Sequence, residues 1–183
     1  MRVVTALAAA AFLLAACGKP QATTEGGDVD ACNAQATRTW RIGDDLYRID
    51  AAAHGATCAE AQATLSLRAP GGAPIYNGTF TTADMPLTFN PQAADSAALN
   101  DDLNLWIENQ APGATAAALP AWAANTDAPP GFKPAVTREV YEAARAASDP
   151  IFCFPDAQLS HACLAVNPGA RTATLLGDRI QSP

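Results

Sequence analysis

The sequence predicts an α+β fold, in which two helices pack on a mainly antiparallel sheet and disulfides staple the domain. First, short segments rich in aromatic and β-branched residues alternate with turn residues, which is typical of hairpins. Second, two later segments carry apolar residues at helical spacing. Third, strands and helices do not alternate as βαβ units and no glycine-rich phosphate loop follows a strand, so we do not expect a nucleotide-binding fold.

The first 16 residues have the features of an export signal. Arg2 precedes an apolar run over residues 3–14, and Gly18, Lys19 and Pro20 follow soon after it. A membrane-spanning helix needs about 20 apolar residues, so this run is too short to span a bilayer permanently. We therefore predict that residues 1–16 are a signal peptide that the mature protein lacks.

The residues Leu-Ala-Ala-Cys at 14–17 resemble the lipobox of bacterial lipoproteins. The resemblance implies that the Cys17 thiol receives a diacylglycerol carrying fatty acids such as palmitate, and that the peptide is cut before Cys17. Each buried CH₂ contributes about 0.8 kcal/mol, so two or three acyl chains hold a protein on a membrane. Gly18, where the family's sorting rule reads an Asp, implies the outer membrane, facing the periplasm. The alternative is an ordinary signal peptide cut elsewhere, which would release a soluble periplasmic protein.

The chain divides into three parts after this assignment. Residues 1–16 are the signal peptide, residues 17–36 are the lipidated cysteine and a flexible tether, and residues 37–183 are a single α+β domain. Within the tether, residues 18–30 contain almost nothing that could be buried. A flexible segment of this length places the domain roughly 20 Å from the bilayer.

The mature chain is acidic, which limits its partners. Removal of residues 1–16 takes away Arg2 and leaves 10 basic and 18 acidic side chains, a formal charge of −8. A chain with this negative charge is not expected to bind nucleic acid, and anionic lipid would repel it. The membrane contact must therefore be the lipid on Cys17. A basic protein partner is favoured, and we expect no cofactor.

Four cysteines remain once Cys17 is acylated: Cys32, Cys58, Cys153 and Cys163. An even number of cysteines in an oxidising compartment predicts two disulfides, and three pairings are possible. We favour Cys32 with Cys58 and Cys153 with Cys163, the second pair across a hairpin. Each closed loop should add roughly 3 kcal/mol of stability.

The elements before residue 95 are predicted to be hairpin strands. Residues 39–42 and 46–50 flank a Gly-Asp-Asp turn, and 63–68 and 73–76 flank Pro-Gly-Gly. Asn77-Gly78 is consistent with either a tight turn or a bulge. Residues 86–89 are a candidate short edge strand that begins at a proline.

Two amphipathic helices and a three-stranded meander complete the domain. The first helix is capped by Asp95 or Ser96 and runs to about residue 110, with Leu99, Leu103, Trp106 and Ile107 on one face. Thr137 can cap a second helix over residues 138–147. Strands follow at 151–154, 162–166 and 172–176, joined by turns through 155–158 and 167–169.

Residues 111–134 form a long segment rich in Ala, Pro and Gly, in which Trp122 and Phe132 are the bulky exceptions. Long loops often carry function, so these two aromatics are the candidate binding surface. The alternative is that both rings pin the segment against the domain.

No catalytic or metal-ligating motif is recognisable. His54-x₃-Cys58 and His161-x-Cys163 are not familiar zinc spacings, and exported thiols usually oxidise first. There is no Gly-x-Ser-x-Gly elbow and no His-Glu-x-x-His helix. We therefore predict no metal and no catalytic residues, and a non-enzymatic, lipid-anchored envelope module that binds a protein or envelope component. The alternative is a periplasmic hydrolase that uses His161 or His54.

Two comparisons extend the family resemblance. Lipoproteins that inhibit lysozyme are similar in role, because they are acidic, exported, cysteine-stapled modules that meet a basic enzyme, but their motifs are not found in this sequence. In general layout the mature domain resembles uncharacterised lipoproteins of proteobacteria, which implies no activity.

Overall fold

The computed structural model describes residues 32–157 and 160–180, so the predictions for the signal peptide and for Cys17 lie outside the described residues. Two four-stranded antiparallel sheets and two α-helices confirm the α+β prediction. The strands are β1 Cys32–Ile42, β2 Asp45–Gly55, β3 Gln62–Arg68, β4 Pro74–Thr81, β5 Phe132–Pro134, β6 Ile151–Ala157, β7 Ser160–Asn167 and β8 Thr172–Ile180; the helices are α1 Ser96–Trp106 and α2 Arg138–Ala147. Sheet 1 has the order β1-β2-β3-β4, and sheet 2 has the order β5-β8-β7-β6.

Strand β1 begins earlier than the sequence analysis placed the domain boundary. Cys32, Ala34 and Ala36 alternate inward and are buried, while the residues between them are exposed. This alternation is the signature of a half-buried strand, but small Ala side chains make it weak in the sequence. The domain therefore includes residues 32–36, and the predicted boundary at residue 37 is wrong.

Asn77 and Gly78 form neither a turn nor a bulge. They lie within β4, opposite Ser66 and Leu65 of β3. A Cβ on Gly78 would lie 2.6 Å from the Tyr76 hydroxyl and 2.8 Å from a Phe80 ring carbon. The glycine therefore makes room for two aromatic rings that fold over the inner side of the strand.

Residues 86–89 are not the predicted edge strand. The carbonyl of Met85 accepts hydrogen bonds from the amides of Thr88 and Phe89, both at 2.9 Å, so the backbone closes on itself in a turn. Met85 and Phe89 are both buried in the core. Local turn hydrogen bonds and core burial of these two side chains override the apolar pattern that suggested a strand.

Helix α1 begins as predicted and covers the free edge of β1. Asp95 Oδ1 accepts from the amides of residues 97 and 98, which caps the helix. Ser96 Oγ accepts from the Asn33 amide, and Asn100 Nδ2 donates to the Gln35 carbonyl. Because unpaired strand edges invite aggregation, these side chains protect sheet 1.

The segment after α1 caps the edge of β6, which explains why the helix ends at residue 106 and not at about 110. Three outward carbonyls of β6 each receive a donor, one from the last residue of α1 and two from the segment after it: Trp106 Nε1 to Pro155 at 2.7 Å, the Gln110 amide to Cys153 at 2.9 Å, and Asn109 Nδ2 to Ile151 at 3.2 Å. Residues 96–110 therefore supply hydrogen-bond partners to the edge strand β1 of sheet 1 and to the edge strand β6 of sheet 2.

Sheet 2 is covered on both faces. One face packs against the inner face of sheet 1 and α1, where the predicted apolar residues of α1 (Leu99, Leu103, Trp106 and Ile107) are fully buried. Trp106 contacts the rings of Phe80, Phe89 and Phe154 at centroid distances of 5.2–6.2 Å. The other face packs against α2 and the 111–134 segment.

The predicted disulfide pairing is confirmed. Cys32 bonds to Cys58 with Cα atoms 5.0 Å apart, and Cys153 bonds to Cys163 with Cα atoms 4.1 Å apart. Cys153 and Cys163 lie directly opposite each other on β6 and β7, as expected for a bridge across a hairpin. All four sulfur-bearing side chains are buried.

We predict that Tyr47→Phe leaves the domain as stable as the wild type, or stabilises it by up to about 1 kcal/mol. Tyr47 is fully buried, and among the described residues its hydroxyl has no hydrogen-bond partner. The substitution removes an unsatisfied polar atom and keeps the ring contact with Trp40. Urea denaturation under non-reducing conditions measures the change, and a loss of more than about 1 kcal/mol would reveal a hidden partner for the hydroxyl.

Candidate functional site

Trp122 and Phe132, the predicted binding surface, both pack on Tyr141 of α2. Their ring centroids lie 5.8 and 5.3 Å from that of Tyr141. Phe132 is only 3% exposed, whereas Trp122 is half-buried and donates from Nε1 to the Thr126 carbonyl at 2.9 Å. These contacts are those of rings that pin the segment, and recognition of a partner by the exposed part of Trp122 stays a prediction.

Polar groups of α2 hold the same segment. The Trp122 amide donates to Glu142 Oε1 at 2.7 Å, and Arg145 donates from Nε to the Leu119 carbonyl at 3.0 Å and from Nη1 to Glu142 Oε2 at 2.6 Å. The hydrogen bond from Trp122 is the main reason that the pKa of Glu142 lies below its ordinary value. Tyr141 donates to the Pro120 carbonyl, and burial raises the pKa of its hydroxyl to about 12. The segment is therefore fixed to α2.

The two histidines of the alternative hydrolase differ in solvent exposure. His54 is exposed, whereas His161 is 9% exposed on β7. Burial, followed by the charge of Arg179, lowers the pKa of His161, while Asp156 opposes this shift. Ser160 precedes His161 in the strand, and its hydroxyl donates to Asp156 Oδ1 at 2.7 Å.

A pair of aspartates, Asp156 on β6 and Asp178 on β8, lies beside these residues. Burial raises the pKa of Asp178 to about 6, and the charge and hydrogen bond of Asp156 add to the effect, while Lys133 opposes it. The pair also acts on Tyr76 of sheet 1. Burial is the main cause that raises the pKa of the Tyr76 hydroxyl, and the charges of Asp156 and Asp178 raise it further. Sequence reasoning missed this carboxyl pair, because it placed Asp156 in a turn, whereas the residue belongs to β6.

The carboxyl pair predicts that Asp178→Asn stabilises the domain near neutral pH. A carboxyl whose folded-state pKa is raised binds its proton more tightly in the folded state, so stability falls as pH rises from about 4 to about 6. An amide at this position is never ionised and can still donate to Asp156. We expect a gain of about 1–2 kcal/mol at pH 7.5, reduced from the full linkage value because the carboxyl is partly exposed.

Thermal unfolding at pH 4.5 and pH 7.5 measures this effect. The difference between Asp178→Asn and wild type should be positive at pH 7.5 and shrink towards zero at pH 4.5. Asp127→Asn, at an exposed carboxyl, is the matched control and should show no such trend. An Asp178→Asn difference that is the same at both pH values would contradict the raised pKa of Asp178 in the folded domain.

The outer face of sheet 1 is a second cluster that sequence reasoning missed. We define it as the solvent-facing side chains at odd positions 33–41 of β1, even positions 46–54 of β2, even positions 62–68 of β3, and positions 77, 79 and 81 of β4. The strand register aligns them in rows, such as Thr37, Asp50, Ser66 and Asn77. Asp50 accepts from Thr37, Arg48 and Arg68 at 2.9–3.0 Å. In the sequence, polar residues alternate with apolar residues along these strands, but only the pairing of the four strands brings the polar side chains onto one surface.

Residues 32–157 and 160–180 contain neither a candidate metal-binding cluster nor a helix that could span a membrane. In these ranges no three His, Cys, Asp or Glu side chains are grouped as they would be to hold a metal ion. No helix there has the length and apolar character needed to cross a membrane.

Comparison with protein-family models, with curated proteins and with solved structures finds no match to this chain. The described residues form a disulfide-stapled α+β domain of two antiparallel sheets.

Proposed function

We propose that this chain is a lipoprotein of the bacterial cell envelope, anchored through Cys17 in the outer membrane and facing the periplasm, whose domain is a non-enzymatic binding module. The observation that carries the proposal is the pairing of the cysteines. Of five cysteines, four are bonded as Cys32–Cys58 and Cys153–Cys163, and the fifth is Cys17 in the Leu-Ala-Ala-Cys motif. Two disulfides indicate an oxidising compartment, and the remaining cysteine stands where a lipid would be attached.

The outer face supports the binding role. It is a broad polar surface on one side of sheet 1, while the opposite side of that sheet is buried in the core. It offers hydroxyl, amide and guanidinium groups to a ligand without any rearrangement of the fold. The rest of the mature chain carries the acidic excess and is the surface that a basic protein partner would prefer.

Metabolic labelling with an alkyne-modified palmitate tests the anchoring. The full chain is produced in a Gram-negative host, and envelopes are separated on a sucrose gradient. We expect the label on the wild-type chain in the outer-membrane fraction, and neither label nor outer-membrane location for Cys17→Ala. Cys58→Ala, which removes a cysteine of the domain, is the control and should keep the label. Wild-type protein without label in the soluble periplasm would overturn the proposal.

A hydrolase remains the second candidate function. The observation that favours it is that Asp156 both accepts from Ser160 and acts electrostatically on His161. An aspartate near a serine and a histidine is consistent with acid–base chemistry, although neighbours in a strand point to opposite faces. Turnover of p-nitrophenyl acetate that Ser160→Ala abolishes would support it. Wild-type turnover no faster than that of buffer would remove this candidate.

A further inference from the structure

The outer face is positively charged, although the chain as a whole is acidic. Its charged side chains in the described strands are Arg41, Arg48 and Arg68 against the single carboxylate of Asp50. Sheet 1 therefore presents a local excess of two positive charges, with His54 counted as neutral. Such a concentration of one sign of charge attracts ligands of the other sign.

The arginines are arranged in an unusual way. Arg48 and Arg68 lie directly opposite each other on β2 and β3, a cross-strand placement of like charges that is unfavourable on its own. Both Nε atoms donate to the same oxygen, Asp50 Oδ2, at 3.0 and 2.9 Å. Although burial raises the pKa of Asp50, its hydrogen bonds from Thr37, Arg68 and Arg48 outweigh burial and hold it below its ordinary value. One carboxylate thus bridges two guanidinium groups and neutralises only one positive charge of the two.

The surroundings of the arginines are rich in hydroxyl and amide groups. The side chain of Arg48 is 56% exposed, so its guanidinium is accessible from solvent. Among the described residues, Ser66 Oγ is buried without a hydrogen-bond partner, in the row between Asp50 and Asn77. Ala52 is the small residue at which two shallow depressions of about 350 and 320 Å³ meet. The surface is therefore furrowed, and it exposes the Arg48 guanidinium beside rows of hydroxyl and amide side chains.

We propose that the outer face binds an anionic polysaccharide, with a carboxylate of the glycan held by Arg48 and Arg68 and with sugar hydroxyls bonded by the neighbouring Thr and Asn side chains. Guanidinium groups bind carboxylates through paired hydrogen bonds, and hydroxyl and amide side chains match sugar hydroxyls. A protein partner is less suited, because protein interfaces depend on buried aromatic anchors and the outer face has Leu46 as its large apolar side chain. The proposal rests on the proposed function and deepens it, because it names the ligand class of the binding module.

Isothermal titration of the purified full chain, with its disulfides intact, tests the ligand class. The probes are oligogalacturonate as an anionic glycan, dextran as a neutral glycan, and polyglutamate as an anionic peptide. We expect oligogalacturonate to bind at least fivefold more tightly than either other probe, with affinity falling as salt is raised. Equal binding of polyglutamate would show an acidic-peptide site, equal binding of dextran would show that charge plays no part, and no binding of oligogalacturonate would leave no glycan site; each overturns the proposal.

Two substitutions locate the site. Arg48→Ala should weaken oligogalacturonate binding at least fivefold, while Arg138→Ala, at an exposed arginine on α2, should leave it unchanged. Asp50→Asn removes the competing carboxylate and should tighten binding at least threefold, an outcome that a purely structural role of Asp50 would not produce. Equal effects of Arg48→Ala and Arg138→Ala, or weaker binding by a folded Asp50→Asn variant, would overturn the assignment.

The same titration with Cys17→Ala separates this proposal from the proposed function. Binding at the outer face needs no lipid, so Cys17→Ala should bind as the wild type does. If the palmitate experiment fails while the titration succeeds, the anchoring is wrong and the glycan site stands. If the titration fails while Cys17 is labelled, the anchoring stands and the ligand class is wrong.

Discussion

Gly177→Ala is expected to destabilise the domain by about 3–5 kcal/mol, enough to unfold much of a marginally stable protein. Gly177 lies in β8 with φ +139°, a conformation that residues with a side chain rarely adopt. A Cβ there would lie 2.2 Å from the Lys133 carbonyl and 2.7 Å from the Pro134 Cα, both backbone atoms of β5. Backbone strain and overpacking each cost about 1–3 kcal/mol, and the clash would push β5 away from its partner strand.

Urea denaturation under non-reducing conditions measures this loss. Gly113→Ala is the matched control, because Gly113 has φ +72° but its Cβ would meet nothing within 4 Å. We expect the control to lose about 1 kcal/mol from conformation alone. A Gly177→Ala variant no less stable than the control would mean that β5 does not pair closely with β8.

Trp106→Ala should lower the free energy of unfolding by about 3–5 kcal/mol, because it leaves a cavity in the core between the two sheets and α1. The Trp106 ring is fully buried and contacts three phenylalanine rings, including Phe154 of sheet 2. Its Nε1 also donates to the Pro155 carbonyl, so the substitution leaves an edge carbonyl of β6 without its donor. The loss therefore combines a cavity with an unsatisfied strand edge.

Leu105→Ala is the control for this prediction, since Leu105 neighbours Trp106 in α1 but is 63% exposed. We expect it to change stability by less than about 0.5 kcal/mol. Differential scanning calorimetry of both variants gives the comparison. Similar melting temperatures for Trp106→Ala and wild type would contradict the placement of α1 on the core.

Features that depend on local spacing were predictable from the sequence. The Asp95 cap and the buried face of α1 follow from contacts three and four residues apart, and the Cys153–Cys163 bond follows from a hairpin. The predicted edge strand at residues 86–89 was wrong, because turns and not a strand bring Met85 and Phe89 into the core. Apolar composition alone does not distinguish these two routes to burial.

The carboxyl pair and the outer face of sheet 1 were not predictable in the same way, because each is formed by strands that are far apart in the sequence. Asp156 and Asp178 lie on different strands, and their influence on Tyr76 requires the two sheets to be packed together. Arg48 and Arg68 meet only because β2 and β3 pair in one register. A shift of two residues would keep both arginines on the outer face but would separate them, and the apolar/polar alternation of the two strands does not exclude that shift.

Intact-mass analysis of the protein purified from envelopes tests the central claim most directly. We expect a mature chain that begins at Cys17, heavier by a diacylglycerol and an amide-linked acyl chain, in which no cysteine reacts with iodoacetamide before reduction. After reduction four cysteines should react, in agreement with the bonds Cys32–Cys58 and Cys153–Cys163. An unmodified Cys17 in a chain whose other cysteines are free thiols would contradict both the anchor and the compartment.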